Sequence, residues 1–155
     1  MLASALGKVF HDTDLEIERR TGARISLIFD IEGEAGFRVR EMCVLDQLTQ
    51  LSNVVLATGG GAVLAAESRE RLCTRGLVVY LHGLPKDLWH RTRHDRSRPL
   101  LQNTDALEKL SSLYRQRDPL YREIADVVVD TGRQSARALL TQLLPQLREQ
   151  CRLSA

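Results

Sequence analysis

The sequence predicts an α/β fold built on a parallel sheet. Three short apolar runs, at positions 53–57, 77–81 and 126–130, are continuous rather than alternating. Continuous runs are typical of strands that helices cover on both faces. Each run leads into a turn that contains glycine, and helical patterns lie between the runs. Strand and helix therefore alternate along the chain, which is the order of a parallel α/β protein.

The remaining elements follow from local patterns. A fourth and weaker strand candidate covers residues 8–11. A helix over residues 14–20 is expected to close at Gly22, and Ser26 is a possible cap for the next helix. The predicted helices cover residues 14–20, 27–31, 34–50, 67–74, 86–93, 106–117 and 135–150. A length of 155 residues favours a single domain.

Composition excludes several classes of protein. With 43% hydrophobic and 27% charged residues, the chain can bury a core and is not a disordered tail. The net charge of +2 argues against a dedicated nucleic-acid binder. Arginine far outnumbers lysine among the basic residues, and arginine is suited to gripping carboxylates and phosphates.

The cysteines and the hydropathy pattern predict a cytoplasmic protein. Cys43, Cys73 and Cys151 are far apart in sequence, which favours reduced thiols over disulfides or a metal site. No apolar segment approaches the roughly 18 residues of a membrane span. The first residues lack the basic and apolar regions of a signal peptide.

A glycine-rich loop is the strongest local feature. Thr58 is followed by Gly59, Gly60 and Gly61, directly after the predicted strand at 53–57. Consecutive glycines let the backbone approach a ligand closely and present its N–H groups. The carboxyl edge of a parallel sheet is also where ligands bind. The alternative is a flexible turn, but the position after a buried strand favours a ligand site.

Two carboxylates follow the weaker strand candidate. Asp12 and Asp14 could divide their roles, one near a metal ion and the other at a hydroxyl group. Asp14 could equally be the N-cap of the helix over residues 14–20. From spacing alone, the cap is the favoured interpretation.

Several arginines remain ambiguous between ion pairs and ligand sites. Arg38 lies one helical turn from Glu34 and Glu41, which is the spacing of intrahelical ion pairs. Arg122 is equally ambiguous. The segment 91–102 carries four arginines within eight residues and then a proline. It is either a solvated turn or a lid, over about residues 93–102, that closes on phosphates.

Five segments, in this order, resemble the shikimate kinase family: 12–22, 28–38, 58–61, 96–101 and 117–122. The resemblance spans essentially the whole chain. It implies a P-loop NTPase-like three-layer sandwich with a parallel sheet. It also implies transfer of the γ-phosphoryl group of ATP, with Mg²⁺, to the 3-hydroxyl of shikimate in the chorismate pathway, by a cytoplasmic monomer. Another small-molecule kinase of the same fold is less consistent with the paired Arg38 and Arg122.

The resemblance also implies roles for individual residues. Asp14 would contact the ring hydroxyls as the candidate base, and Arg38 and Arg122 would bind the substrate carboxylate. Backbone N–H groups of Gly59, Gly60 and Gly61 would line the shikimate pocket.

The remaining implied roles concern the nucleotide. Asp12 would help to hold Mg²⁺ through water. Arg98, in the lid, would reach the transferring phosphoryl group. Arg91 would stack on the adenine, and Gln134 would contact the nucleotide from the last loop.

The chain departs from the family pattern at its start. The family opens with a strand and a Gly-rich loop that ends in Gly-Lys-Ser/Thr. Here the only Gly-Lys pair is followed by Val9 and has no upstream glycine. We therefore expect residues 1–155 to be an N-terminally truncated domain that lacks the central strand and the Walker A loop. Two half-sheets would remain, and the chain alone would be inactive. The alternative is a shikimate-binding remnant that does not catalyse phosphoryl transfer.

Overall fold

The computed structural model describes residues 1–92, 105–132 and 134–153. The chain divides into two compact units, Met1–Leu77 and Val78–Ala155. The first unit contains α1 (Leu2–Leu6), β1 (Val9–Asp12), α2 (Thr13–Thr21), α3 (Ile25–Leu48), β2 (Val54–Ala57) and α4 (Ala66–Arg75). The second contains β3 (Val79–His82), α5 (Pro85–Thr92), α6 (Ala106–Ile124), β4 (Val127–Asp130) and α7 (Ala136–Leu153).

The described strands form two parallel pairs. In the first unit β1 pairs with β2, from Val9 opposite Val54 to Asp12 opposite Ala57. In the second unit β3 pairs with β4 in the same sense, ending with His82 opposite Asp130. All four predicted strands are confirmed, and each lies in a two-stranded parallel sheet. The Gly-rich loop and the Asp12–Asp14 segment thus leave the same edge of one sheet.

The strands are less covered than their continuous apolar patterns predict. Phe10 and Leu81 are more than half exposed, and in β4 only Val127 and Val129 are buried while Val128 is not. Each strand has one neighbouring strand only, so its other edge has no ladder partner among the described residues. Burial on both faces is therefore not reached in these two-stranded sheets.

Two helix boundaries correct the sequence predictions in the first unit. Asp12, and not Asp14, is the N-cap of α2. The helices predicted at 27–31 and 34–50 are continuous in α3, which begins after Arg24 and is kinked at Gly33. Ser26 is therefore not a cap. The Gly33 backbone, at φ 69° and ψ −179°, makes the kink in a region that only glycine adopts readily.

A third correction concerns α6, which continues past residue 117 and through Pro119 to Ile124. A proline inside a helix loses one hydrogen bond and crowds the preceding turn. Packing beyond the proline offsets this cost, because Ile124 is buried and the ring of Tyr121 stacks on Tyr80 at 4.7 Å. Tertiary contacts thus extend the helix further than local propensity indicates.

The core of the first unit holds α2 against both halves of α3. It consists of Ile17, Ile28, Phe37, Val44 and Leu48. Ile28 precedes the Gly33 kink and the other α3 members follow it, so the core fixes both arms of the kinked element. No described helix has the length and the hydropathy that a membrane span requires.

We expect Gly33→Ala to destabilise the protein by roughly 1–3 kcal/mol, because alanine is strained at this backbone conformation. A Cβ at Gly33 would meet nothing within 4 Å, so the cost comes from the backbone alone. Gly76→Ala is the matched control, since Gly76 also has open space but lies in extended backbone. Urea unfolding measures both. Equal effects of the two substitutions would contradict this prediction.

Candidate functional site

Asp12 orients the start of α2 and thereby places Asp14. Its Oδ1 accepts hydrogen bonds from the backbone N–H groups of Asp14, at 2.9 Å, and of Leu15, at 3.2 Å. Asp14 consequently lies in the first turn of α2, where it is half-buried. The Oδ1 atom of Asp14 is buried and accepts no hydrogen bond from the described residues. It is therefore an acceptor with unused capacity.

The surroundings of Asp14 raise the pKa of its carboxyl group. Burial is the largest cause, and the negative charge of Asp12 adds to it, while Arg38 opposes both. A carboxylate with a raised pKa accepts a proton more readily than an ordinary one, which suits a general base.

The Gly-rich loop packs against this carboxylate. The N–H of Gly59 donates to the hydroxyl of the fully buried Thr13, at 3.3 Å. A Cβ at Gly59 would lie 3.2 Å from Oδ1 of Asp14 and 2.9 Å from Oε1 of Glu41. Glycine is thus needed here for close approach. The N–H of Gly59 is committed to Thr13, although the family resemblance implied that it lines the pocket.

Gly61 makes a similar approach to Arg38. Gly61 is buried, and a Cβ added to it would overlap the guanidinium group of Arg38. Gly60 lies between the two and is exposed. The structure therefore brings the loop together with Asp14 and Arg38, as the family resemblance implied.

Arg38 is held by two carboxylates of α3. Its Nη1 donates to Oε2 of the buried Glu41 at 2.7 Å, and its Nη2 donates to Oε1 of Glu34 at 2.9 Å. Burial lowers the pKa of Arg38, but these hydrogen bonds outweigh that effect and raise it. The predicted intrahelical ion pairs are present. The Nε atom is nevertheless buried with no acceptor among the described residues.

In the second unit, Arg91 and Gln134 both contact Thr131. Nη2 of Arg91 donates to the Thr131 hydroxyl at 3.0 Å, and the backbone N–H of Gln134 donates to the Thr131 carbonyl at 3.2 Å. Thr131 itself donates twice to the carbonyl of His82, which ends β3. Two residues that the resemblance assigns to the nucleotide thus meet at one sheet edge.

Arg122 is engaged within α6. Its Nε donates to Oδ2 of Asp118 at 2.9 Å, and half of its side chain is exposed. The hydroxyl of Tyr80 donates to the other oxygen of Asp118 at 3.0 Å. These contacts match the ion-pair interpretation of Arg122. Arg117, at the start of the same motif, is less exposed and its Nε is buried.

Arg117 is the candidate that sequence reasoning missed. Both arginines stand in the segment 117–122, and spacing gave no reason to prefer either. Burial gives a reason to prefer Arg117, because a shielded guanidinium forms stronger electrostatic contacts than an exposed one. Arg98 and the predicted lid at 93–102 lie outside the described residues. No group of three metal-ligating side chains occurs in the part of the chain that the structure describes.

The family model described as Shikimate kinase matches residues 1–148. The chain belongs to the shikimate kinase family. The Nitrosococcus oceani shikimate kinase is 56% identical over 148 residues, which are 96% of this chain and 78% of that protein. The Thiobacillus denitrificans shikimate kinase is 58% identical over 147 residues, 95% of this chain and 80% of its own length.

Solved shikimate kinases share the fold. The Acinetobacter baumannii enzyme, solved in complex with shikimate, matches with a TM-score of 0.92 and 48% identity, over 96% of this chain and 83% of the other. The Aquifex aeolicus enzyme matches with a TM-score of 0.80 and 31% identity, over 97% and 87%. The predicted P-loop NTPase-like α/β class is thus confirmed.

The raised pKa of Asp14 predicts a pH-dependent gain in stability for Asp14→Asn. A carboxyl whose pKa is raised on folding destabilises the fold when it is ionised, above the folded pKa. The cost vanishes below the unfolded pKa, where both states are protonated. We expect Asp14→Asn to raise the urea midpoint at pH 7, and the gain to shrink as the pH falls through the folded pKa. An unchanged or lowered midpoint at pH 7 would show that burial of this carboxylate carries no cost. The exposed Asp30→Asn is the control.

Proposed function

We propose that this chain binds shikimate through Asp14, Arg38 and the Gly-rich loop, as the substrate half of a shikimate kinase. One observation carries the proposal: among the described residues, a buried acceptor on Asp14 and a buried donor on Arg38 have no hydrogen-bond partner, and they lie beside Gly59 and Gly61. A hydroxylated carboxylic acid offers a donor to the first and an acceptor to the second.

Asp14 has the properties that the base needs. A ring hydroxyl that donates to Oδ1 would fill its unused acceptor, and the raised pKa favours acceptance of the hydroxyl proton as the phosphoryl group is attacked. Asp12 supports this role in two ways, because it positions α2 and its charge raises the pKa of Asp14.

The substrate carboxylate is assigned to arginine. Arg38 presents Nε to a ligand while Glu41 holds its other side, and charge-assisted pairs of arginine with carboxylate are strong. Arg122 was assigned the same role by resemblance. Arg122 forms an ion pair with Asp118, whereas the Nε atom of Arg117 is buried. This difference favours Arg117 as the carboxylate-binding residue of α6.

The nucleotide is assigned to the second unit. Arg91 and Gln134 meet at Thr131 and are proposed to contact ATP there, and Arg98 is proposed to reach the transferred group. Mg²⁺ would neutralise charge on the phosphates. One oxygen of Asp12 caps α2, so the residue fits a water-mediated contact with the ion through its other oxygen. The described residues do not build a cage for the metal alone.

The phosphates of ATP have no binding loop in this sequence. A Gly-rich loop ending in Gly-Lys-Ser/Thr does not occur, and such loops supply the backbone N–H groups and the lysine that bind the β- and γ-phosphates. We therefore propose that the 155 residues bind substrate but need that loop for transfer. A cytoplasmic monomer is proposed from the family resemblance.

Three single substitutions test the arginine assignments. Arg38→Ala and Arg117→Ala should each weaken shikimate binding by about 1.5–3 kcal/mol, because each removes a charge-assisted contact. Arg122→Ala should change it little, since its partner is Asp118. Calorimetric titration with shikimate measures all three. If Arg122→Ala weakens shikimate binding and Arg117→Ala does not, Arg122 is the carboxylate-binding residue, as the family resemblance implied. If Arg38→Ala leaves shikimate binding unchanged, the proposed substrate site is wrong.

The missing loop predicts that the 155-residue chain has no appreciable ATP-dependent shikimate phosphorylation and low thermal stability. Preceding it with the strand and Gly-Lys-Ser/Thr loop of the family should restore both, because one strand carries the phosphate loop and offers a ladder to a neighbouring strand edge. The same extension with the loop lysine changed to alanine is the control. It should restore stability but not activity. A cooperative and fully active 155-residue chain would contradict the prediction.

A further inference from the structure

The two carboxylates on Arg38 differ in how firmly they are held. The Glu41 side chain is 4% exposed, whereas that of Glu34 is 53% exposed. Removing a buried charge from its partner is costly, while an exposed ion pair separates easily into water. Glu41 is therefore a permanent partner of Arg38, and Glu34 is one that a competing anion can replace.

The position of Glu34 on the guanidinium group points to what replaces it. Glu34 accepts from Nη2, which lies on the same side of the group as the Nε–H bond. The Nε atom on that side is buried and has no acceptor among the described residues. Glu34 thus accepts one hydrogen bond from this edge of the guanidinium group. A carboxylate can accept two parallel hydrogen bonds from the same edge. A ligand carboxylate that displaces Glu34 fills the second donor as well.

The exposure of Glu34 gives its side chain room to leave. Glu34 follows Gly33, whose unusual backbone conformation makes the kink of α3. More than half of the surface of the Glu34 side chain is exposed to solvent. Arg38, by contrast, is held by Glu41 at Nη1 and packs against Gly61. Displacement therefore moves the glutamate and leaves the arginine in place.

We propose that Glu34 is an internal competitor that occupies the carboxylate-binding edge of Arg38 until the substrate carboxylate displaces it. The exchange of one carboxylate for another keeps the guanidinium paired in both states. Glu34 lowers the affinity for carboxylate ligands and makes the empty site resistant to weakly held anions. This inference rests on the proposed role of Arg38 in substrate binding.

The test compares the affinity for shikimate with that for its uncharged methyl ester, in the protein expressed from its natural gene. Glu34→Gln removes the competing charge, so the Kd for shikimate should fall roughly two- to fivefold, the equivalent of one exposed ion pair. The Kd for the ester should stay within error. Glu34→Ala should act in the same direction, which guards against an effect particular to glutamine.

Glu32→Gln is the matched control. Glu32 lies on the other side of the Gly33 kink and pairs with Arg40 at 2.5 Å, so its loss removes the same charge and a similar ion pair away from Arg38. It should leave both Kd values unchanged. An equal gain in shikimate affinity for Glu32→Gln would show a general charge effect and overturn the proposal. An unchanged or raised Kd of the Glu34 variants for shikimate would also overturn it, as would an equal gain in affinity for the ester.

Arg38→Ala separates this inference from the function on which it rests. If Arg38→Ala weakens shikimate binding but Glu34→Gln does not strengthen it, the substrate site stands and the competitor role falls. If Arg38→Ala leaves shikimate binding unchanged, or the protein does not bind shikimate, the proposed function falls and the competitor role falls with it. Thermal unfolding of each variant confirms that it is folded.

Discussion

The ion pair between Arg38 and the buried Glu41 is the contact on which the rest of the candidate site depends. Both residues lie on α3, and the 2.7 Å contact fixes the guanidinium against the Gly-rich loop. A buried charge needs its partner, because isolating either one in the protein interior is strongly unfavourable. The pair therefore orients Arg38 and restricts the loop that lies against it.

The two glycines that pack on this pair are needed for space. Neither Gly59 nor Gly61 has a positive φ, yet a Cβ at either position would crowd a charged side chain. The loop can consequently follow β2 directly into contact with Asp14 and Arg38. Asp12 completes the arrangement from the other strand, since it caps α2 and turns Asp14 towards the loop.

The same charges set the chemistry of the site. Asp14 lies between the negative charge of Asp12 and the positive charge of Arg38, and burial shifts the balance towards a raised pKa. A site that holds a partly desolvated carboxylate costs stability when empty and regains it when a ligand donates to that carboxylate. Activity and stability are therefore expected to oppose each other at Asp14.

The sequence by itself determined the strands, the order of the motifs and the family, because these depend on local apolar runs and on residue types at fixed spacing. The family resemblance also implied one site for Asp14, Arg38 and glycines 59–61, which spacing alone did not. Local patterns failed where distant contacts decide. The continuation of α6 through Pro119 depends on burial and on the distant contact between Tyr121 and Tyr80. The cap at Asp12 is local, but spacing alone does not distinguish it from a cap at Asp14. The proposed preference for Arg117 over Arg122 rests on burial, which spacing does not give. Glu34 and Glu41, which both pair with Arg38, are alike in their spacing along the sequence. Only the tertiary structure buries Glu41 and exposes Glu34, which makes Glu41 a permanent partner of Arg38 and Glu34 a replaceable one.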